Sequence, residues 1–214
     1  MSKGKLAKFA ELQTFSNVFE QLPLPKGKWA GHFGNDNDIV LELACGKAEY
    51  TINLALRHPD RNYIGIDLKG ARIWRGAKTA EEMDIYNVAF IRNRIELLTE
   101  YFDRDEISEI WITFPDPYPR PCKSQKRLTS ARFLTLYNQV LKKDGLIHLK
   151  TDADGLFDFT LETIDEENCR IQDMTRDLYA APIKNKDLLI QTTFEKSHLL
   201  NKRTIKYVSF RLPA

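Results

Sequence analysis

Short apolar runs that alternate with helix-patterned stretches occupy residues 38–214. Ile39-Val40-Leu41-Glu42-Leu43, Asn62 to Asp67, Val88 to Ile91, Ile110 to Phe114 and Gly145 to Lys150 each read as a strand. Continuously apolar runs of this length fit a sheet covered on both faces. Between them, Glu49 to His58, Gly70 to Met83, Ser130 to Lys142 and Asp154 to Glu166 are predicted as helices, the first stopped by Pro59. Asn168 to Met174 and Thr204 to Leu212 are predicted as late strands, one of them antiparallel. The alternation predicts one α/β domain with a mostly parallel sheet and helices on both faces. Ligands on such sheets sit at the carboxyl ends of the strands, near the point where strand order reverses.

Residues 1–37 read differently, as an N-terminal extension to the domain at 38–214. Phe9, Leu12, Phe15 and Phe19 fall near helical spacing, which predicts a short amphipathic helix over Lys8 to Glu20, ended by Pro23 and Pro25. Gly27, Gly31, Gly34 and Asn35-Asp36-Asn37 then read as loop. No apolar run approaches the roughly 18–20 residues that cross a bilayer. The start, Met1 to Lys8, lacks the apolar stretch of a secretory signal. Cys45, Cys122 and Cys169 are widely spaced and read as small apolar residues, and the four histidines form no metal-ligating pattern. A cytoplasmic protein without a metal is expected.

The formal net charge of +2 excludes a uniformly basic nucleic-acid binder. It conceals blocks of opposite sign. Pro117 to Lys143 carries seven basic residues and no acid, whereas Asp152 to Asp173 carries eight acids and one Arg. A second basic stretch, Lys184 to Lys206, has six Lys and Arg against Asp187 and Glu195.

Two strand ends carry chemistry. The turn Glu42-Leu43-Ala44-Cys45-Gly46-Lys47 holds one glycine, so the dinucleotide pattern GxGxxG fails. The next strand ends in Asp67, an acid placed for a ribose diol. S-adenosylmethionine, an adenosine ligand without pyrophosphate, fits that pair of facts, with Glu42 toward its positive end. Further on, Thr113-Phe114-Pro115-Asp116-Pro117-Tyr118-Pro119-Arg120 sets three prolines at alternate positions. Each locks its own φ and restricts its predecessor, which makes a stiff corner presenting Asp116 and Tyr118. The basic tail Arg120, Lys123, Lys126 and Arg127 beside an aromatic suits RNA phosphates and an unstacked base.

These residues, with Ile64-Gly65-Ile66-Asp67, His148-Leu149-Lys150-Thr151-Asp152 and Thr192-Thr193-Phe194-Glu195, resemble the tRNA (guanine-N7)-methyltransferases from about Asp38 to the C-terminus. The resemblance implies a Rossmann-like class I methyltransferase fold, S-adenosylmethionine as cofactor and tRNA as partner. It implies Asp116 as catalytic residue, and Glu42, Asp67 and Asp116 as cofactor contacts, to which the residues themselves add Gly46 at the close turn and Asn93 after the third strand. It places Arg120, Asp152, Thr192, Thr193, Phe194 and Glu195 on the substrate side; Lys123, Lys126 and Arg127 are expected toward RNA phosphate from the basic run itself. No obligate protein partner is expected. Two positions depart from the family pattern: Ala44 replaces the usual first glycine, and Arg92-Asn93-Arg94 stands where an acid commonly follows the third strand. Asn93 retains a donor and an acceptor for an adenine edge. The alternatives are another nucleobase N-methyltransferase, to which Asp116-Pro117-Tyr118 bears a partial likeness, and a non-catalytic RNA-binding scaffold.

Overall fold

A computed structural model describes residues 3–20, 26–180 and 182–213. In chain order the elements are α1 (Lys3–Leu12), β1 (Val18–Phe19), α2 (Trp29–Phe33), β2 (Ile39–Leu43), α3 (Glu49–Arg57), β3 (Asn62–Ile66), α4 (Gly70–Glu82), β4 (Val88–Ile91), α5 (Leu98–Tyr101), β5 (Ile107–Thr113), α6 (Ala131–Tyr137), β6 (Leu141–Thr151), α7 (Asp154–Glu166), β7 (Arg170–Thr175), α8 (Thr193–Leu200) and β8 (Lys206–Arg211). Eight strands form one sheet in the order β1-β4-β3-β2-β5-β6-β8-β7. The pairs from β1 to β6 are parallel; β8 runs antiparallel to β6, and β7 to β8. The α/β architecture with a mostly parallel sheet is therefore as expected, with an antiparallel pair at the late edge.

Side chains alternate across the sheet, as strand geometry requires. Ile39, Leu41 and Leu43 enter one core with Trp29, Phe133, Tyr137 and Phe157, beneath α2, α5, α6 and α7. Val40 enters the other core with Tyr50, Ile73, Phe90 and Trp111, beneath α1, α3 and α4. Burial on both faces is why these strands read as unbroken apolar runs. The chain leaves β2 toward β3 on one side and reaches β5 on the other, so the switch point lies at the carboxyl end of β2.

Three local expectations need correction. The N-terminal helix ends at Leu12, and Val18–Phe19 becomes an edge strand paired with Phe90 and Ile91. Phe15 and Phe19 are buried or half-buried against the domain by this strand and turn, not by a continued helix face. Pro23 and Pro25 lie outside the described residues. The stretch Trp29 to Phe33, expected as loop, is a short helix anchored by the fully buried Trp29, whose indole N–H donates to Tyr101 O at 2.9 Å. The helix expected over Ser130 to Lys142 stops at Tyr137, because Leu141 pairs with Ile107 and starts β6 early. Among the described residues, no helix is long and apolar enough to cross a membrane.

Candidate active site

The turn from β2 to α3 is wound tightly. Ala44, Gly46 and Ala48 all have φ near +58° (57°, 58° and 58°). Left-handed backbone costs a residue with a Cβ roughly 1–2 kcal/mol, so Ala44 and Ala48 are held there by their surroundings. Gly46 N–H donates to Asp67 Oδ2 at 3.0 Å, Lys69 N–H to Asp67 Oδ1 at 2.7 Å, and Cys45 N–H to Ile66 O at 3.1 Å. The turn can lie this close to β3 because Gly65 has no side chain: a Cβ there would stand 2.9 Å from Cys45 Sγ. The Asp67 carboxylate is thus fixed in place, and each oxygen keeps a lone pair for a further donor. It lines a cavity of about 470 Å³ with Asn93, Leu68, Lys126, Phe133 and Asp116. Asn93 accepts the Arg94 N–H through Oδ1 at 2.9 Å. An anchored acid at a nucleoside-sized cavity fits the ribose of an adenosine ligand.

Glu42 does not reach this cavity. It is 3% exposed, and its carboxylate lies beneath the turn. Oε2 accepts both the N–H (2.9 Å) and the hydroxyl of Thr51, and Oε1 accepts the Thr113 hydroxyl at 2.7 Å. Its carboxylate bridges β2, α3 and β5. Burial raises its pKa to about 7, against the lowering effect of the threonine hydrogen bonds.

The proline corner follows β5. Phe114 and Tyr118 have φ of 49° and 41°, conformations rare for bulky residues. Phe114 N–H is tied to Lys150 O at 2.8 Å. The second tie corrects an expectation. Arg127 is only 9% exposed; its guanidinium lies 4.3 Å over the Phe159 ring and donates to Pro117 O (3.2 Å) and Tyr118 O (3.1 Å). It is a buried clamp on the corner, with Nε and Nη2 spent on carbonyl oxygens, and not an exposed member of the basic tail. Arg120 and Lys123 are exposed outside the cavities, and Lys126 lines the smaller one. Cys122, read as a small apolar residue, is also exposed. Asp116 is exposed at the corner's tip and lines both the 470 Å³ cavity and a larger one of about 1090 Å³.

The larger cavity gathers Asp152, Thr192, Thr193 and Phe194 from the far end of the chain. Phe194 is 52% exposed, an aromatic face open to solvent. Glu195 is the exception among the expected substrate contacts. It is 0% exposed, pairs with the equally buried Lys150 at 2.8 Å and accepts the Tyr179 hydroxyl at 2.7 Å. A carboxylate consumed this way cannot read a base. Desolvation pulls the Lys150 pKa down, opposed by Glu195.

Sequence reasoning missed α8 itself, and with it His198, which stacks on Phe114 and sits 3.4 Å from Asp152. The signal was present. Thr192-x-x-Glu195 has the capping-box pattern, and half of it forms: the Thr192 hydroxyl accepts Glu195 N–H at 3.1 Å, while the Glu195 carboxylate goes to Lys150 and Tyr179. Arg203, 2.7 Å from Asp152, and Arg72, which lines both cavities, were also missed. Among the described residues, no three metal-ligating side chains cluster.

Similarity to known proteins agrees with this arrangement. The Methyltransf_4 methyltransferase family matches residues 36–208. A tRNA (guanine-N(7)-)-methyltransferase of Christiangramia forsetii is 47% identical, covering 99% of both chains. That of Bacteroides thetaiotaomicron is 43% identical over 100% of this chain and 87% of its own. Among solved structures, an antibiotic-related methyltransferase superposes with a TM-score of 0.68 at 16% identity, covering 90% of this chain and 96% of its own. The 16S rRNA methyltransferase KamB gives 0.65 at 10% identity, covering 89% and 95%. At these identities the two structures establish the class I methyltransferase fold alone. With near-complete coverage by sequence relatives and acids at the ends of β3 and β5, the chain belongs to the tRNA (guanine-N7-)-methyltransferase family.

Proposed function

We propose that this chain transfers a methyl group from S-adenosylmethionine to N7 of a guanosine in tRNA. The observation that carries the reading is the place of Asp116, on a rigid corner where the nucleoside-sized cavity meets the larger, cation-rimmed one. Asp67 and Asn93 hold the cofactor's nucleoside end. When bound, the cofactor supplies an electrophilic methyl.

Guanine N7 already carries a lone pair, so no proton leaves before attack, and the protein works through orientation and electrostatics. Asp116 accepts hydrogen bonds from the guanine N1–H and amino group, a donor pair adenine lacks. Its negative charge also stabilises the positive charge that grows on the base. Phe194 offers the base a flat face, and Asp152, oriented by Arg203, reaches the nucleoside from the opposite wall. Arg120, Lys123 and Lys126, exposed beside the corner, take RNA phosphates. The chain acts in the cytoplasm without an obligate protein partner.

The test is incubation of the purified chain with labelled S-adenosylmethionine and unmodified bulk tRNA, followed by nucleoside identification. Labelled N7-methylguanosine is expected. Label on another base atom favours the alternative methyltransferase, and none at all favours a scaffold. Asp116→Ala should lower single-turnover methylation by about 10²–10³-fold, the usual loss of a positioned charge-assisted contact.

A further inference from the structure

Two clips hold the start of α8, and they pull toward different parts of the molecule. Lys150 on β6 holds Glu195 at 2.8 Å while donating to Leu188 O (2.7 Å) and Ile190 O (3.0 Å), which pins the helix to the sheet. The second clip reaches the cofactor turn. Thr193, the first residue of α8, donates its N–H to Glu49 Oε2 at 2.7 Å and its hydroxyl to Glu49 Oε1. Glu49 thereby satisfies a first-turn amide that the helix itself cannot pair.

Glu49 is also the first residue of α3, directly after the turn with three left-handed residues. Its place is set by that turn, whose Gly46 is bonded to Asp67. A continuous path of backbone and hydrogen bonds therefore runs from Asp67 through Gly46, Glu49 and Thr193 to Phe194. Both Glu49 and Thr193 line the larger cavity. The sheet does not need this link, because the Lys150–Glu195 pair holds α8 without it.

We propose that Glu49 is a positioning residue that couples the two cavities. A ligand held at Asp67 and Gly46 further restrains the turn, the turn restrains Glu49, and Glu49 restrains Thr193 and Phe194 on the wall that receives RNA. This rests on the reading of the two cavities as cofactor and tRNA sites. Such coupling is reciprocal: each ligand tightens the other by the same factor.

The test measures the Kd of unmodified tRNA for the full chain with and without saturating S-adenosylhomocysteine, which binds as the cofactor does but cannot react. In the wild type the ratio should be about fivefold or more, the lower end of ordinary coupling. Glu49→Ala should bring it to within about twofold of one. Glu49→Gln should keep it, since an amide can accept the Thr193 N–H and donate to its hydroxyl oxygen. Thr193→Pro, which removes both the N–H and the hydroxyl at a first helical position that tolerates proline, reads the same link from the other side should Glu49→Ala fail to fold; it should reduce the ratio, and adding it to Glu49→Ala should cause no further loss. A folded Glu49→Ala with the wild-type ratio overturns the proposal, as does a folded Thr193→Pro that leaves the ratio unchanged or a wild-type ratio of one. Wild-type chain that makes N7-methylguanosine while showing any of these results loses only the coupling; wild-type chain that makes none loses the functional reading itself.

Discussion

Replacing Glu42 with Gln isolates the cost of a buried carboxylate at the centre of the sheet. Burial moves its pKa from an ordinary 4.5 to about 7 in the folded chain. The folded state therefore holds a proton that the unfolded state releases between those values. The sign follows: stability is lost as pH rises from 4.5 to about 7, and the loss is complete above the folded pKa. At roughly 1.4 kcal/mol per pH unit, the full loss is about 3 kcal/mol. Glutamine has the same shape, its amide oxygen accepts from Thr51, and its NH₂ donates to the Thr113 hydroxyl oxygen. It has no proton to lose. Urea unfolding of wild type and Glu42→Gln at matched temperature, at about pH 5.5 and about pH 8.5, should show the variant gaining on the wild type by about 2 kcal/mol across that interval. A gap constant to within about 0.5 kcal/mol would refute the argument, because an exposed or already ionised carboxylate gives no such slope.

Asp67→Ala should weaken S-adenosylmethionine binding far more than tRNA binding, measured by calorimetry and filter binding; equal losses would mean general misfolding. Neutralising Lys123 and Lys126 together should flatten the slope of log K for tRNA against log salt by about 1–2, while Arg127→Ala should leave that slope unchanged and lower Tm. The reverse pattern would return Arg127 to the RNA interface. Glu195→Ala strands the Lys150 ammonium and should cost about 3–5 kcal/mol in denaturant unfolding, with Lys150→Met restoring part of it in the double variant. Additive losses in that pair would show that the ion pair is not what holds α8.

The local features were legible because local physics produces them. Apolar runs of strand length, the helix stopped before Pro59, and Asp67 one strand after the Gly46 turn depend on near neighbours; each element forms where expected, with β5 and β6 starting earlier, at Ile107 and Leu141. The proline corner is local in part: φ is fixed at Pro115, Pro117 and Pro119, while Lys150 O and Arg127 hold Phe114 and Tyr118 in their left-handed conformations. The Thr-x-x-Glu pattern at Thr192 belongs with these, a short-range signal of a helix start.

Which charges face solvent was another matter. Arg127 and Lys123 stand four residues apart in one basic run, yet Arg127 is clamped on Phe159 and the corner carbonyls while Lys123 is exposed. Glu195 looks like a substrate carboxylate until Lys150, distant in sequence, arrives from β6 and neutralises it out of water. Glu42 reads as a free strand-end acid until Thr51 of α3 and Thr113 of β5 close over it. The amino-acid sequence by itself determined the alternating sheet, the two acid-bearing strand ends and the rigid corner between them. Only the tertiary structure decided which charged groups remain available to a ligand, because desolvation and pairing depend on segments that meet only when the chain has folded.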